Sequence, residues 1–206
     1  MMVTDRATRA AKRLLKPTLE RTKLGHTLLK NAASMSGGDV NERIAELMAR
    51  NTQGNVPIGR DLGAGIRMDQ DPQQERSLQI CSPAGSVVHL QATQNSDSRW
   101  TALHFKLGGL DLSGIDVLGV VVQSQSRRST ALSRIALRSG NQHQFRDFFF
   151  EKHLASVQDG GLHIDICRLD DLEHQIPITA EWRELIIFFP EKELDLTISK
   201  VRFISA

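Results

Sequence analysis

The sequence predicts a mainly β protein, an antiparallel β-sandwich of jelly-roll type, preceded by a helical arm. Three observations predict it. From Ser77 onward the hydrophobic period is two, the period of a pleated strand, and no stretch of helical period interrupts it. Turn-forming clusters such as Pro83-Ala84-Gly85, Asn95-Ser96-Asp97, Gly108-Gly109, Ser139-Gly140-Asn141 and Asp159-Gly160-Gly161 separate short apolar runs. Finally, Leu185-Ile186-Ile187-Phe188-Phe189 is apolar on both alternating faces, so it needs cover on two sides, and Pro190 ends it because proline donates nothing to a ladder. Many short strands joined by turns describe packed antiparallel sheets, not a parallel α/β sheet.

The elements follow in chain order. Residues 1–50 form the arm, basic at its start. Ala7, Ala10, Ala11, Leu14 and Leu15 recur at helical spacing among Arg6, Arg9, Lys12, Arg13 and Lys16, and Pro17 suits the first turn of a second helix carrying Leu19, Leu24, Leu28 and Leu29. Asp39 with Glu42 three residues on reads as a helix start, with Ile44, Leu47 and Met48 on one face. Residues 51–76, rich in Gly and Pro, read as a loop or linker. Their Gly63-Ala64-Gly65 lacks the preceding strand and following helix of a phosphate loop. Candidate strands of the sandwich domain, residues 77–206, are 77–81, 86–93, 100–107, 116–123, 132–139, 145–150, 162–168, 182–189 and 200–204. Leu194, Leu196 and Ile198 are out of phase with Val201 and Phe203, so a bulge belongs near Ser199-Lys200.

Composition excludes several classes. With 206 residues, 40% hydrophobic and 24% charged, the chain is an ordinary globular one, and no apolar run approaches the roughly 20 residues of a membrane span. Net charge is +2, unevenly placed: residues 1–30 hold eight Lys/Arg against two acidic residues, so the remainder is acidic. A basic arm suits an anionic partner or the acidic body itself. It has no aromatic residue for base stacking, so sequence-specific nucleic-acid binding is not expected. Cys81 and Cys167 lie far apart and read as free thiols. No signal-peptide pattern opens the sequence, which leads to an expectation of cytoplasmic residence.

The run Leu110-Asp111-Leu112-Ser113-Gly114-Ile115-Asp116-Val117, the strand holding Arg134 to Arg138, and Trp182-Arg183-Glu184-Leu185-Ile186-Ile187 resemble the β-sandwich of carbohydrate-binding modules and related galactose-binding-like domains. In those domains a Leu-Asp-Leu-Ser turn precedes a central strand and a tryptophan opens the penultimate one. The resemblance covers about residues 78–204. It implies a non-catalytic binding module for a glycan. The alternative reading is a structural or scaffolding protein whose N-terminal helices mediate self-association or dock a protein partner.

Alternation then nominates a ligand face. Arg134 and Arg138 oppose Ile135 and Leu137 on their strand, and His104 and Lys106 stand ready to join them on one open face as a cationic groove for a polar or anionic ligand. In the strand 162–168, Leu162, Ile164 and Ile166 are expected to face the core and His163, Asp165 and Cys167 the open side. The candidate ligand-binding set is His104, Gln123, Arg134, Arg138, His163 and Asp165, with Trp182 as a packing or stacking residue. One strand cannot surround an ion, and Asp170-Asp171 with Glu173 lacks the spacing of a dedicated calcium loop, so no metal and no cofactor is expected. No Gly-x-Ser-x-Gly nucleophile motif occurs. Phe145-Arg146-Asp147-Phe148-Phe149-Phe150 is expected to be core.

Overall fold

A computed structural model describes residues 38–49, 57–63, 65–73, 78–92, 99–172 and 174–206. The readings of the arm at residues 1–37, of the turn at 95–97 and of residue 173 lie outside them. The described elements are α1 (Gly38–Ala49), β1 (Asp61–Gly63), β2 (Ile66–Gln70), β3 (Leu78–Cys81), β4 (Val88–Ala92), β5 (Thr101–Gly108), β6 (Val117–Ser126), β7 (Ala131–Gly140), β8 (Phe145–Phe149), β9 (Leu154–Ser156), β10 (Gly161–Arg168), β11 (Trp182–Phe189) and β12 (Leu194–Ser205), with one 3-10 turn at Asp170–Leu172. They form two antiparallel sheets. One has seven strands in the order β1-β2-β5-β11-β7-β8, with β9 paired to β7, and the other runs β10-β6-β12-β4-β3.

The doubly apolar run forms β11, which lies between β5 and β7. Leu185 sits opposite Phe105 and Leu137, and Ile187 opposite Leu103 and Ile135. These side chains meet Val120, Val122, Leu90, Leu196, Ile198 and Phe203 of the facing sheet in one core cluster, all essentially without solvent exposure. Each such aliphatic side chain contributes about 1.5–3 kcal/mol by leaving water. Ile186, on the outer face of β11, is also fully buried.

β12 carries the expected bulge, a register shift between Ile198 and Lys200. Its pairing with β4 ends at Ile198 opposite Val88, so beyond the bulge that side of β12 has no strand partner among the described residues. Helix α1 takes the place. Val40, Ile44 and Leu47 enter the core, and the Asn41 carboxamide imitates a neighbouring strand: its Nδ2 donates to the Phe203 carbonyl at 2.9 Å and its Oδ1 accepts the Phe203 N–H at 3.0 Å.

Three expectations need correction. The stretch read as a linker contains β1 and β2. β2 alternates buried Ile66, Met68 and Gln70 and pairs along β5, but the left-handed glycines Gly63 and Gly65 in front of it break the sequence pattern. β10 is turned over. His163, Asp165 and Cys167 sit opposite Val122, Val120 and Leu118, on the inner side, while Leu162, Ile164 and Ile166 point outward. As an edge strand its inner side meets the sandwich rim, where Asp165 accepts the Lys152 backbone N–H at 2.8 Å and the Lys152 ammonium lies 3.7 Å away. On the outer side Ile166 covers Gly119, where a Cβ would come within 3.0 Å of its Cγ1. Lastly, only part of the phenylalanine cluster is core: Phe148 and Phe150 are buried, whereas Phe145 is 58% exposed.

Replacing Asn41 with Leu strands one backbone donor and one acceptor at Phe203. A loss of about 2–4 kcal/mol in stability is expected from two unsatisfied groups, read from urea unfolding, and Asn41→Asp, which keeps the acceptor, is expected to lose less.

Candidate functional site

Register places four cross-strand rows on the outer face of the seven-stranded sheet. The first holds Asp69, Ala102, Phe188 and Arg134, and the second Arg67, His104, Ile186, Ala136 and Phe149. The third holds Lys106, Glu184, Arg138 and Asp147, and the fourth Trp182, Gly140 and Phe145. Part of the expected cationic groove is a lattice of ion pairs, while Arg134 and Lys106 stand on the same face outside those pairs. Arg138 grips Asp147 with two bonds, Nε to Oδ1 at 2.6 Å and Nη2 to Oδ2 at 2.7 Å. Arg67 reaches Asp69 at 2.6 Å and Glu184 at 3.1 Å, and His104 Nδ1–H donates to Glu184 Oε2 at 3.0 Å. The Arg134 and Arg138 guanidinium groups also lie over the Phe149 and Phe145 rings, 3.9 and 4.1 Å from their centroids.

Burial alone would raise the Glu184 pKa. The His104 hydrogen bond and the charges of Arg67, His104 and Arg138 overcome it and hold the carboxyl below its ordinary 4.5. For Arg67, burial lowers the pKa and the Asp69 and Glu184 carboxylates raise it above the usual value.

The fourth row is different in kind. Trp182 and Phe145 stand on strands either side of Gly140, about two strand spacings, or roughly 10 Å, apart. Gly140 is required there: a Cβ would sit 2.3 Å from the Trp182 ring, which lies across the glycine. The indole Nε1–H donates to the Asn141 carbonyl at 3.1 Å. Next to this row, the β7–β8 hairpin and the loop at 177–180 enclose a cleft of about 320 Å³, bordered by Asn141, Gln144, Phe145, Arg146, Thr179 and Ala180. The hairpin keeps its shape because Asn141 Oδ1 accepts the N–H groups of His143 and Gln144 at 3.0 and 3.1 Å. The facing loop is held by Arg183, only 1% exposed, whose Nη2 donates to the carbonyls of Pro177 and Ile178, both at 2.7 Å.

The nominated residues divide among three places. His104, Arg134, Arg138 and Trp182 share the outer face just described. Gln123 is exposed on the outer face of the other sheet, and His163 and Asp165 are turned inward at the rim. Burial lowers the His163 pKa, with Asp165 opposing and Lys152 assisting. Burial, followed by the charges of Asp165, Glu151 and Asp171, pushes the Cys167 thiol up to about 11, so it is neither a thiolate nucleophile nor a ready ligand at neutral pH. Among the described residues no group of three His, Cys, Asp or Glu side chains is placed to hold a metal, and no helix is long and apolar enough to cross a membrane. The glycine turn before β2 is closed by the Asp61 carboxylate, which accepts the N–H groups of Gly63 and Gly65 and so occupies donors a phosphate would need. Sequence reasoning missed Phe145, Asn141, Gln144, Arg146 and Arg183. Strict alternation would have found the first, because Phe145 is in phase with Asp147.

No protein-family profile and no curated protein sequence matches the chain. Among solved structures it is similar to a family 11 carbohydrate-binding module from Clostridium thermocellum in complex with a β-1,3-1,4-mixed-linked tetrasaccharide, at 11% identity over 76% of this chain and 96% of that one, with a TM-score of 0.48. It is also similar to a family 22 xylan-binding domain from Paenibacillus barcinonensis, at 11% identity, 77% and 92% coverage and a TM-score of 0.45. A third is a family 28 module specific for non-crystalline cellulose, at 14% identity, 76% and 98% coverage and a TM-score of 0.42. The sandwich itself rests on the strand pairing given above, and no ligand is carried across from these likenesses.

Because the Glu184 pKa is lowered on folding, its ionised form stabilises the protein above the ordinary value and that contribution fades as pH falls through the lower folded value. The gap in thermal midpoint between the wild-type protein and Glu184→Gln is therefore expected to be full at pH 7 and to close below pH 4.5. Calorimetric scans across that range check it.

Proposed function

We propose that the protein is a non-catalytic module that binds a glycan at the aromatic end of the seven-stranded sheet's outer face. The observation that carries this reading is the row Trp182, Gly140, Phe145, with Phe145 58% exposed beside a polar cleft. A pyranose ring has an apolar patch of axial C–H groups and a rim of hydroxyls. A flat aromatic ring takes the first, and amide and hydroxyl side chains take the second. Asn141, Gln144 and Thr179 border the cleft, and the Gln144 and Thr179 side chains make no hydrogen bond among the described residues. The Arg138 guanidinium lies against one face of the Phe145 ring, and Trp182 continues the row.

The nearby carboxylates favour binding over hydrolysis. Glycoside cleavage needs one carboxylic acid with a raised pKa. Here Asp147 is committed to Arg138 in a two-bond pair, and Glu184 is held ionised by His104 and Arg67.

Phe145 is the cleaner residue to test, because a change at an exposed site costs within about 0.5 kcal/mol of stability. Phe145→Ala is expected to weaken glycan binding about tenfold or more, as loss of an aromatic anchor does, with an unchanged far-ultraviolet spectrum. Trp182→Ala is expected to weaken it as well and also to lower the thermal midpoint. A glycan array that is blank for the wild-type protein, or a Phe145→Ala variant that binds as the parent does, rules the reading out.

A further inference from the structure

The cleft beside the aromatic row contains a single charge. Of the residues lining it, Arg146 alone is ionised, and none is Asp or Glu. Its Nη1 donates to the His174 carbonyl at 2.7 Å, which anchors the guanidinium at the cleft wall. No carboxylate pairs with it among the described residues. The other guanidinium groups around the row are engaged: Arg138 by Asp147, Arg67 by Asp69 and Glu184, and Arg183 by carbonyl groups and Ser139 deep inside. Arg134 stands at the far end of the face, over Phe149. The exposed Glu181 is outside the lining.

A guanidinium held by one neutral acceptor keeps its remaining N–H groups for a ligand. Those groups are arranged as a planar fork that matches two oxygens of one anionic group. A neutral sugar would offer this exposed guanidinium only neutral acceptors, as water does.

We propose that the glycan taken by this site carries an oxyanion, either the carboxylate of a uronic acid or a sulfate ester, received by Arg146 across the free edge of β8 while the sugar ring stacks on Phe145; Arg146, opposite Ser139, stands on the inner side of that edge strand and Phe145, opposite Gly140, on the outer. This inference rests on the glycan-binding reading of the same face and adds the ligand class to it. Gln144 and the free Nδ2 of Asn141, whose Oδ1 is occupied within the hairpin, supply donors to the ring hydroxyls.

The full chain is tested on an array of oligosaccharides matched as neutral, uronate and sulfated forms, and the hits are then titrated by calorimetry. Arg146→Gln, Arg146→Lys and Phe145→Ala are compared with the wild type. Anionic members are expected to bind about tenfold or more tighter than their neutral counterparts, since a charge-assisted pair adds about 1.5–3 kcal/mol. Arg146→Gln should abolish that margin, Arg146→Lys should retain part of it, and Phe145→Ala should weaken neutral and anionic members alike. The margin should shrink between about 50 and about 500 mM salt as the pair is screened. Preference for uronates alone, or for sulfates alone, identifies the source of the oxyanion. If neutral members bind equally and Arg146→Gln changes nothing while Phe145→Ala still weakens binding, the charge assignment is overturned and the glycan site stands. If no member of the array binds, both fall together.

Discussion

One buried cation ties the aromatic end of the sheet together. Arg183 is the largest fully buried side chain among the described residues, and its donors reach the Leu110 carbonyl and Ser139 Oγ as well as the two carbonyls of the 177–180 loop. Four acceptors from three separate segments converge on one planar group, so the turn at Leu110, strand β7 and the loop before β11 cannot move independently. Burial lowers the pKa of this arginine, and the charge of Asp111 opposes the effect. Asp111 is in turn fixed by the Ser113 N–H and hydroxyl at 2.9 and 2.8 Å, which is the physical content of the Leu-Asp-Leu-Ser turn. Desolvating a guanidinium is expensive unless every donor finds an acceptor. Arg183 therefore fixes position chiefly, and what it fixes is the wall of the cleft and the Trp182 backbone next to it.

The charged part of the outer face works in the same way. Its three carboxylates are taken up by Arg67, Arg138 and His104, and the Arg134 and Arg138 guanidinium groups lie against the Phe149 and Phe145 rings. This gives a stiff surface with little net field, in which most side chains have their geometry set before any ligand arrives. Phe145 is an aromatic ring on this face with more than half of its surface in water. Its neighbours are rigid, so a ring docking there would meet a platform that needs little reordering.

The sequence conveyed the sandwich because alternation is a local signal: β4, β5, β6, β7, β10, β11 and the bulge in β12 could all be read from runs of a few residues. It failed where the deciding contact is remote or the strand is unusual. Ile66, Met68 and Gln70 make a clear strand once β5 lies alongside, but the glycines before them hid it. The pattern of β10 showed two faces without saying which was inside, and the rim contact of Asp165 with Lys152 reversed the hydrophobic expectation. Arg138 and Asp147 are close in sequence, whereas Glu184 meets His104 and Arg67 across long stretches of chain. No local rule announces such a pairing, so the cations of this face could be read without the carboxylates that take up Arg138 and His104.

Helix α1 has a consequence of its own. A strand whose N–H and C=O groups point outward invites any extended polypeptide to add itself. By laying one side-chain amide against Phe203, the helix blocks that route of growth. A shorter version of this protein starting beyond residue 49 would lack the helix and offer the bare flank of β12 to its neighbours in solution, an open edge on which extended chain can pair.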